Sequence, residues 1–387
     1  MRRLPGMTEA SRIYVLYTGG TIGMDGHPLA PMPTSRFEAL MATMPGFNPP
    51  WLTLQTFANQ DIRVSYELDA FEEPIDSSAM VPRDWVRIAR RVLDNYDQFD
   101  GFVVLHGTDT MAWTASALSF LLEGLAKPVV VTGSQVPLAQ TRNDGLRNLV
   151  SAMQIAATTS VPEVGLFFDM ALYRGCRAAK VSTNAFEGFA SPNAGALADV
   201  GIGIEINEGM VRLPPPVEIS LEDPANRERI SARLDTIERA LPNFSVLSLA
   251  LFPGIQQSNA VDVMLSFTEP PVRGVVLQAF GEGNAPSTPS FIDALRRAHE
   301  RGVVIVDGTQ VMQGSVNVDA YQSASGLEQA GAISSYDMTP EAAQAKLTYL
   351  IALGLQPKEV ETLMQRNLRG ELEAQAGPTQ GLTFVDR

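Results

Sequence analysis

Two threonine-glycine segments each come directly after an apolar run that is typical of a strand. Residues 18–23 (TGGTIG) follow 13–17 (IYVLY), and residues 106–110 (HGTDT) follow 102–105 (FVVL). Strands of this kind are buried in parallel sheets, and ligands bind where the carboxyl ends of those strands meet. Glycine lets a substrate approach the backbone closely, and a threonine hydroxyl attacks a carbonyl once a base removes its proton. The two segments therefore predict an α/β sheet whose edge carries out acyl transfer.

Strand-like and helical patterns alternate along the first half of the chain. Within 82–96, apolar residues such as Trp85, Ile88 and Val92 recur with a period of about 3.6 residues, which predicts a helix with one buried face. Because strands that alternate with helices imply βαβ crossovers, we expect a doubly wound, mostly parallel sheet with flanking helices. The other elements predicted in this half are strands at 102–105, 128–132 and 164–168 and helices at 111–125 and 145–157.

The chain has 387 residues, which is too many for one ordinary hydrophobic core. Three consecutive prolines at 214–216 stop any regular element, and the charged stretch 218–239 is interpreted as a connector with one solvated helix. We expect a larger N-terminal α/β domain with the candidate catalytic threonines at 1–212, a linker at 213–243 and a smaller C-terminal α/β domain at 244–387. The second domain has predicted strands at 246–252, 272–280 and 303–306 and predicted helices at 287–300, 340–353 and 357–367.

Charge and cysteine content exclude several classes of function. The formal net charge is −14 and the basic residues are scattered, so the surface repels a phosphate backbone and we expect no nucleic-acid partner. The single cysteine, Cys176, fits a reducing compartment, and the three histidines lack the spacing of a metal site. No run approaches the roughly 18 apolar residues of a membrane span, and the N-terminus does not read as a signal peptide. We expect a soluble, cytoplasmic protein that does not contact membranes.

Taken singly, each threonine segment has an ordinary structural interpretation. Thr21 could begin a helix as its cap, although the Gly- and Pro-rich residues 24–31 after it are typical of a mobile loop. Asp109 or Thr110 could cap a helix that starts near residue 111. Alternatively, Asp109 could bind a substrate ammonium and Thr108 could orient a water. From these residues alone, the caps are favoured over catalysis.

Taken together, the motifs resemble one enzyme family. The motifs are collinear, span nearly the whole chain and lie at 18–23 (TGGTIG), 76–78 (DSS), 106–110 (HGTDT), 131–135 (VTGSQ), 142–145 (RNDG), 172–180 (LYRGCRAAK), 189–193 (FASPN), 281–286 (GEGNAP) and 367–371 (NLRGE). In this order they are similar to the L-asparaginases of the bacterial type, and most similar to the cytoplasmic, type I branch.

The resemblance implies a role for several residues. The first threonine of the family, here Thr21, is the nucleophile, and Thr108, Asp109 and Lys180 form a relay. By sequence alone Lys180 would be a plain surface lysine, and only the resemblance gives it this role. Serine hydroxyls with adjacent N–H groups suit a carboxylate, and an aspartate suits an ammonium. The substrate-binding residues that the resemblance implies are Gly20, Asp76, Ser77, Ser78, Thr108, Asp109 and, reaching in from a neighbouring subunit, Asn284.

One departure from the family concerns the loop after the first segment. The family usually has a tyrosine there that helps to activate the nucleophile, whereas residues 24–33 contain none. Tyr17 precedes the segment inside a strand, and we expect it in the core. Tyr321 is the best substitute, either as a base that reaches the site from another domain or subunit, or as an aromatic packing residue. The residues leave both alternatives open.

The resemblance implies a homodimeric or homotetrameric amidohydrolase that converts L-asparagine and water to L-aspartate and ammonia without metal or cofactor. Three alternatives remain. A hydrolase of the same fold could prefer glutamine or another amide, since one methylene in the length of the substrate discriminates by only about 1–3 kcal/mol. The chain could be the ammonia-supplying subunit of a tRNA amidotransferase. That subunit has an extra N-terminal domain, whereas only seventeen residues precede Thr18 here, which argues against this alternative. An amino-acid sensor without turnover would explain the missing loop tyrosine.

Overall fold

The computed structural model of the protein describes residues 10–54, 61–316 and 325–373. The strands are β1 (Arg12–Gly19), β2 (Met24–Asp25), β3 (Ala30–Pro31), β4 (Phe47–Asn48), β5 (Trp51–Leu54), β6 (Ile62–Ile75), β7 (Gly101–Leu105), β8 (Val129–Thr132), β9 (Val164–Phe168), β10 (Ala171–Arg174), β11 (Ala179–Lys180), β12 (Phe189–Ala190), β13 (Ala198–Val200), β14 (Ile204–Ile206), β15 (Ser245–Ala250), β16 (Val272–Ala279), β17 (Val304–Thr309) and β18 (Ile333–Ser334). The α-helices are α1 (Thr34–Met41), α2 (Pro82–Asp94), α3 (Met111–Leu121), α4 (Gly145–Thr158), α5 (Pro224–Ala240), α6 (Ala260–Ser266), α7 (Pro289–Glu300), α8 (Ser325–Gln329), α9 (Pro340–Ala352) and α10 (Pro357–Met364). Short 3-10 helices cover Thr21–Gly23, Ser77–Ala79, Gly175–Arg177, Leu241–Asn243 and Ile255–Gln257.

A ten-stranded sheet organises the N-terminal half, in the order β14-β13-β10-β9-β8-β7-β1-β6-β5-β4. The central strands β9, β8, β7, β1 and β6 pair in parallel, and antiparallel strands extend the sheet on both sides. Buried side chains of α1 and α4 cover one face, and those of α2 and α3 cover the other. The predicted mostly parallel, doubly wound sheet is confirmed.

A second sheet organises the C-terminal half. The four strands β15-β16-β17-β18 are all parallel. Helices α6 and α7 pack on one face, while α9 and α10 pack on the other and share a hydrophobic core with α2 and α3. The predicted smaller C-terminal α/β domain is confirmed, and α9 contacts α3 across the junction of the two halves.

The helix predicted in the connector lies against the protein core and is not solvated. Its residues Ile230, Leu234 and Ile237 are buried, and α5 packs against α2 and α9. The charged residues that suggested a solvated helix instead form ion pairs, such as Arg90 with Asp235 at 2.5 Å. Apolar residues spaced by three and four positions were present in this stretch, but the surrounding charges outnumber them.

Two further features differ from the expectations. Strand β6 runs for fourteen residues, and the sequence patterns did not predict it because acidic side chains such as Glu67, Glu72 and Glu73 interrupt its apolar positions. The segment expected to be a mobile loop after Thr21 contains a short hairpin, in which Met24 of β2 pairs with Pro31 of β3. Backbone pairing therefore gives part of this segment a regular structure.

Candidate active site

The carboxyl ends of four adjacent parallel strands bring the predicted site residues together. In the large sheet β6, β1, β7 and β8 are neighbours in that order. The segments that follow them are 76–78, 20–23, 106–110 and 133–135 respectively. Because strands of a parallel sheet all end at the same edge, segments far apart in sequence meet there.

Glycines let these segments touch. A Cβ atom on Gly20, whose φ is +83°, would lie 2.2 Å from the nitrogen of Gly107. A Cβ atom on Gly107 would lie 2.4 Å from Oγ of Ser77. Real Cβ atoms do not approach other atoms so closely, so only glycine fits at either position. The turns that carry Thr21, Thr108 and Ser77 therefore pack directly against one another.

Thr21 is half-buried and begins the 3-10 helix Thr21–Gly23. Beneath this helix, the Tyr17 hydroxyl donates a hydrogen bond to the carbonyl oxygen of Gly23 at 3.0 Å. Tyr17 is fully buried, which confirms its predicted place in the core. Burial raises the pKa of Tyr17, so its phenol stays protonated and supports the turn as a donor.

Lys180 links two polar residues of the segment 106–110, Thr108 and Asp109. Its Nζ donates to Oγ1 of Thr108 at 2.8 Å and to Oδ1 of Asp109 at 2.7 Å. Strand β11, which carries Lys180, pairs with β12 and places this side chain at the end of β7. Thr108 is buried, whereas the Asp109 side chain is 62% exposed. The ammonium thus contacts a buried hydroxyl and a carboxylate that solvent reaches.

The segment after β6 is a compact turn. Oδ1 of Asp76 accepts hydrogen bonds from the backbone nitrogen of Ser78 at 3.0 Å and from its hydroxyl at 2.9 Å. Ser77 is buried, and its carbonyl oxygen accepts a hydrogen bond from the Thr110 hydroxyl at 2.8 Å. Thr110 occupies the N-cap position of α3 without a side-chain capping bond, and Asp109 pairs with Lys180. Thr110 is therefore the N-cap residue of α3, as the capping interpretation predicted, but its side chain does not cap the helix through a hydrogen bond.

His106 has a structural role. It is fully buried, with Nδ1 2.7 Å from the carbonyl oxygen of Gly107 and Nε2 2.8 Å from the Thr114 hydroxyl. Burial lowers its pKa to about 4, so the imidazole is neutral at physiological pH. His106 therefore holds the start of the segment 106–110 in place through its contacts with Gly107 and Thr114.

Sequence reasoning missed two residues beside the site. Gln135 places its Oε1 3.5 Å from Oγ1 of Thr108. The buried carboxylate of Asp144 accepts hydrogen bonds from the backbone nitrogens of Gln135 and Val136. Both residues belong to motifs that carried the family resemblance, in 131–135 and 142–145, and only that membership could have singled them out.

Two predicted residues lie apart from this edge or outside the described residues. Asn284 follows β16 of the smaller sheet, and its backbone pairs with that of Phe280 in a tight turn. Tyr321 lies outside the described residues. Whether either residue reaches the edge of the large sheet stays a prediction.

Within the described ranges, no group of three or more His, Cys, Asp or Glu side chains is arranged to hold a metal ion. In the same part of the chain, no helix has the length and apolar character needed to cross a membrane.

Comparisons with known proteins agree with this architecture. The family model described as Asparaginase, N-terminal matches residues 12–212, and the model described as Glutaminase/Asparaginase C-terminal domain matches residues 245–364. L-asparaginase 1 of Escherichia coli K12 is 40% identical over 365 residues, which cover 94% of this chain and 98% of that protein.

Two further relatives bear on the alternatives. The crystal structure of L-asparaginase I from Vibrio cholerae is 39% identical, with a TM-score of 0.76, and the match covers 94% of this chain and all of that one. A glutamyl-tRNA(Gln) amidotransferase subunit of Methanopyrus kandleri is 31% identical, and the match covers 93% of this chain and 75% of that protein.

Proposed function

The chain belongs to the asparaginase family, and we propose that it hydrolyses L-asparagine to L-aspartate and ammonia through an acyl-enzyme on Thr21. The observation that carries this proposal is the contact of the Lys180 ammonium with both Thr108 and Asp109, at the turn packed against that of Thr21. Thr21 supplies a candidate nucleophile, and the hydroxyl, carboxylate and ammonium beside it are groups that can orient water and transfer protons in amide hydrolysis.

In the first step, Oγ1 of Thr21 attacks the side-chain amide carbon of asparagine as a base takes the hydroxyl proton. The C–N bond then breaks, and the amide nitrogen leaves as ammonia after it receives a proton. Backbone N–H groups near Thr21 and Thr108 bind the oxyanion of the tetrahedral intermediate, at about 3–4 kcal/mol for each donor. The product of this step is a β-aspartyl ester of Thr21.

In the second step, a water attacks the ester carbonyl. Thr108 orients this water, and the carboxylate of Asp109 accepts its proton. The ammonium of Lys180, which donates to both groups, supplies a proton to the departing oxygen of Thr21 through Thr108 and is restored by the proton on Asp109. The ester C–O bond breaks, Thr21 regains its hydrogen and L-aspartate leaves. The overall reaction consumes one water and needs no redox partner.

Substrate orientation follows from the charges at this edge. The exposed carboxylate of Asp109 binds the α-ammonium of asparagine, while the turn at 76–78 binds the α-carboxylate through N–H and hydroxyl groups. Gly20, which has no side chain, leaves room for the substrate to lie against the backbone. This orientation directs the side-chain amide toward Thr21.

We also propose a cytoplasmic homodimer or homotetramer in which Asn284 of one subunit completes the site of another. The lone cysteine, Cys176, is buried and free, which suits a reducing compartment.

We further propose that the two domains lie at 1–212 and 244–387 and are joined by a linker at 213–243.

The test measures ammonia release from L-asparagine and from L-glutamine by the purified protein, the Thr21→Ala variant and the control Thr43→Ala. Thr43 is exposed and bonds only its own helix end within the described residues, so this control is expected to keep wild-type turnover. Thr21→Ala is expected to lose at least about 10³-fold in kcat. Turnover of neither amide by the wild-type protein would refute the proposal, and thermal stabilisation by asparagine without turnover would indicate a sensor.

A mixing experiment tests the shared site. Thr21→Ala and Asn284→Ala are each expected to be inactive, but a mixed dimer has one site with both intact residues. After dissociation and reassociation of equal amounts, about a quarter of wild-type activity is expected to return. If Asn284→Ala alone is fully active, Asn284 has no part in the site.

A further inference from the structure

The side-chain amide of Gln135 has a fixed orientation. Its Nε2 donates to the carbonyl oxygens of Ser182 at 2.9 Å and Ala185 at 3.2 Å, so both of its hydrogens are bound. The backbone nitrogen of Gln135 is in turn held by both oxygens of the buried Asp144 carboxylate, at 3.1 and 2.9 Å. Because Nε2 is bound to residues 182 and 185, the other end of the amide, Oε1, faces Thr108.

The hydroxyl hydrogen of Thr108 needs an acceptor, and Oε1 of Gln135 lies on the side where one is needed. Lys180 donates to Oγ1 at 2.8 Å, so one lone pair of that oxygen is occupied and its own hydrogen points elsewhere. Oε1 of Gln135 lies 3.5 Å from Oγ1, a long separation for a hydrogen bond between two oxygens. Catalytic hydrogen bonds are often long without substrate and tighten when substrate binds.

We propose that Gln135 is a positioning residue for the hydroxyl of Thr108. By accepting the hydroxyl hydrogen, Oε1 turns the remaining lone pair of Oγ1 toward the water that attacks the acyl-enzyme. The same amide also anchors residues 182–185, which follow Lys180 along the chain, so the test has to separate this anchor from the acceptor. This inference rests on the proposed function.

Three variants separate the acceptor from the anchor. Gln135→Met has nearly the length of glutamine but lacks both the acceptor and the donors. Gln135→Glu also lacks the two N–H donors, as Gln135→Met does, but it keeps an oxygen within reach of Thr108. Ser182→Ala loosens the anchored segment alone, because Oγ of Ser182 accepts hydrogen bonds from the backbone nitrogens of Asn184 and Ala185.

The readouts are kcat and KM for ammonia release from asparagine, together with the melting temperature. Gln135→Met is expected to lower kcat by about tenfold with KM within about twofold, the loss typical of one hydrogen bond made in the transition state. Gln135→Glu is expected to keep several times more kcat than Gln135→Met, and Ser182→Ala to keep wild-type kcat despite a lower melting temperature.

Equal losses of kcat in Gln135→Met, Gln135→Glu and Ser182→Ala would overturn the proposal, because loosening of the segment would then explain them all. Wild-type kcat in Gln135→Met would also overturn it. Either outcome leaves the proposed function intact as long as the wild-type protein releases ammonia, whereas failure of the wild-type protein to do so is a failure of the proposed function itself.

Discussion

The backbone of Gly20 lies so close to that of Gly107 that a methyl group at Gly20 would approach the Gly107 nitrogen to 2.2 Å. This contact joins the turn after β1 to the turn after β7. It places the two candidate catalytic threonines, Thr21 and Thr108, on adjoining turns although 87 positions separate them. The mutual arrangement of the site therefore depends on backbone packing as much as on side-chain hydrogen bonds.

The first prediction concerns this contact. Gly20→Ala is expected to lower the free energy of unfolding by about 2–4 kcal/mol, because it adds both a steric clash with backbone and a side chain at positive φ. Urea denaturation measures the loss, and ammonia release should fall with it. Gly201→Ala is the matched control, since no atom of the described residues, apart from Gly201 and its two chain neighbours, lies within 4 Å of its added methyl group. A variant at Gly20 as stable as this control would show that the two turns can separate at little cost.

The second prediction concerns Lys180. Lys180→Met keeps most of the aliphatic chain but removes the ammonium, so kcat for ammonia release should fall by about 10²–10⁴, the usual contribution of a general acid or base. Lys127→Met is the control, because Lys127 has a side-chain exposure of 18%, against 19% for Lys180, and bonds to Tyr96 instead of the site. If both variants keep wild-type kcat, turnover needs neither the ammonium of Lys180 nor its contact with Thr108.

The third prediction concerns Asp307 of β17, which is fully buried. Within the described residues neither of its carboxyl oxygens has a hydrogen-bond partner. Burial raises its pKa to about 8, from roughly 3.9 in an unfolded chain. Between these two pH values the folded state keeps a proton that the unfolded state releases. The free energy of unfolding should therefore fall as pH rises through this window.

An asparagine side chain is neutral at every pH, so Asp307→Asn should remove this loss. Below pH 4 the variant and the wild-type protein are expected to differ little, whereas at pH 8 the variant should be more stable by about 5 kcal/mol. Urea denaturation at several pH values measures the difference, in which the titrations of all other groups cancel. Parallel pH profiles for the two proteins would mean that Asp307 has the same proton affinity folded and unfolded.

Much of the fold could be predicted because apolar patterns determine it locally. The strands β7, β8 and β9 are short apolar runs bounded by glycine or proline, and the structure places all three in the predicted parallel sheet. Strand β6 and helix α5 were harder to predict. Their buried faces form only against distant partners, and their exposed faces carry most of the charge.

The candidate site also has some residues that could be predicted from the sequence and some that could not. The threonine-glycine segments could be found from sequence because a strand precedes each of them. The contact between Lys180 and Thr108 could not, because it joins residues 72 positions apart through a two-stranded pairing that periodicity does not show. Gln135 was missed for a related reason: its importance lies in three partners on two other segments, and its own residue type suggests no chemistry.

The last prediction concerns the base that activates Thr21. Residues 24–33 contain no tyrosine, and the hydroxyl of Tyr17 is bound to the Gly23 carbonyl with its pKa raised by burial, which disfavours the phenolate that a base requires. Tyr321 is therefore predicted to supply this group, and Tyr321→Phe should lower kcat by about 10²–10³ with little change in KM.

Tyr17→Phe is the matched control for that loss of a hydroxyl. It removes one buried hydrogen bond, so it should lower the free energy of unfolding by about 1 kcal/mol and leave kcat within about threefold of wild type. A Tyr321→Phe variant with wild-type kcat would identify Tyr321 as a packing residue. The proton of Thr21 would then have to leave by way of Thr108, on the adjoining turn, and the groups that contact it. In that case the Lys180→Met variant should lose formation of the acyl-enzyme as well as its hydrolysis.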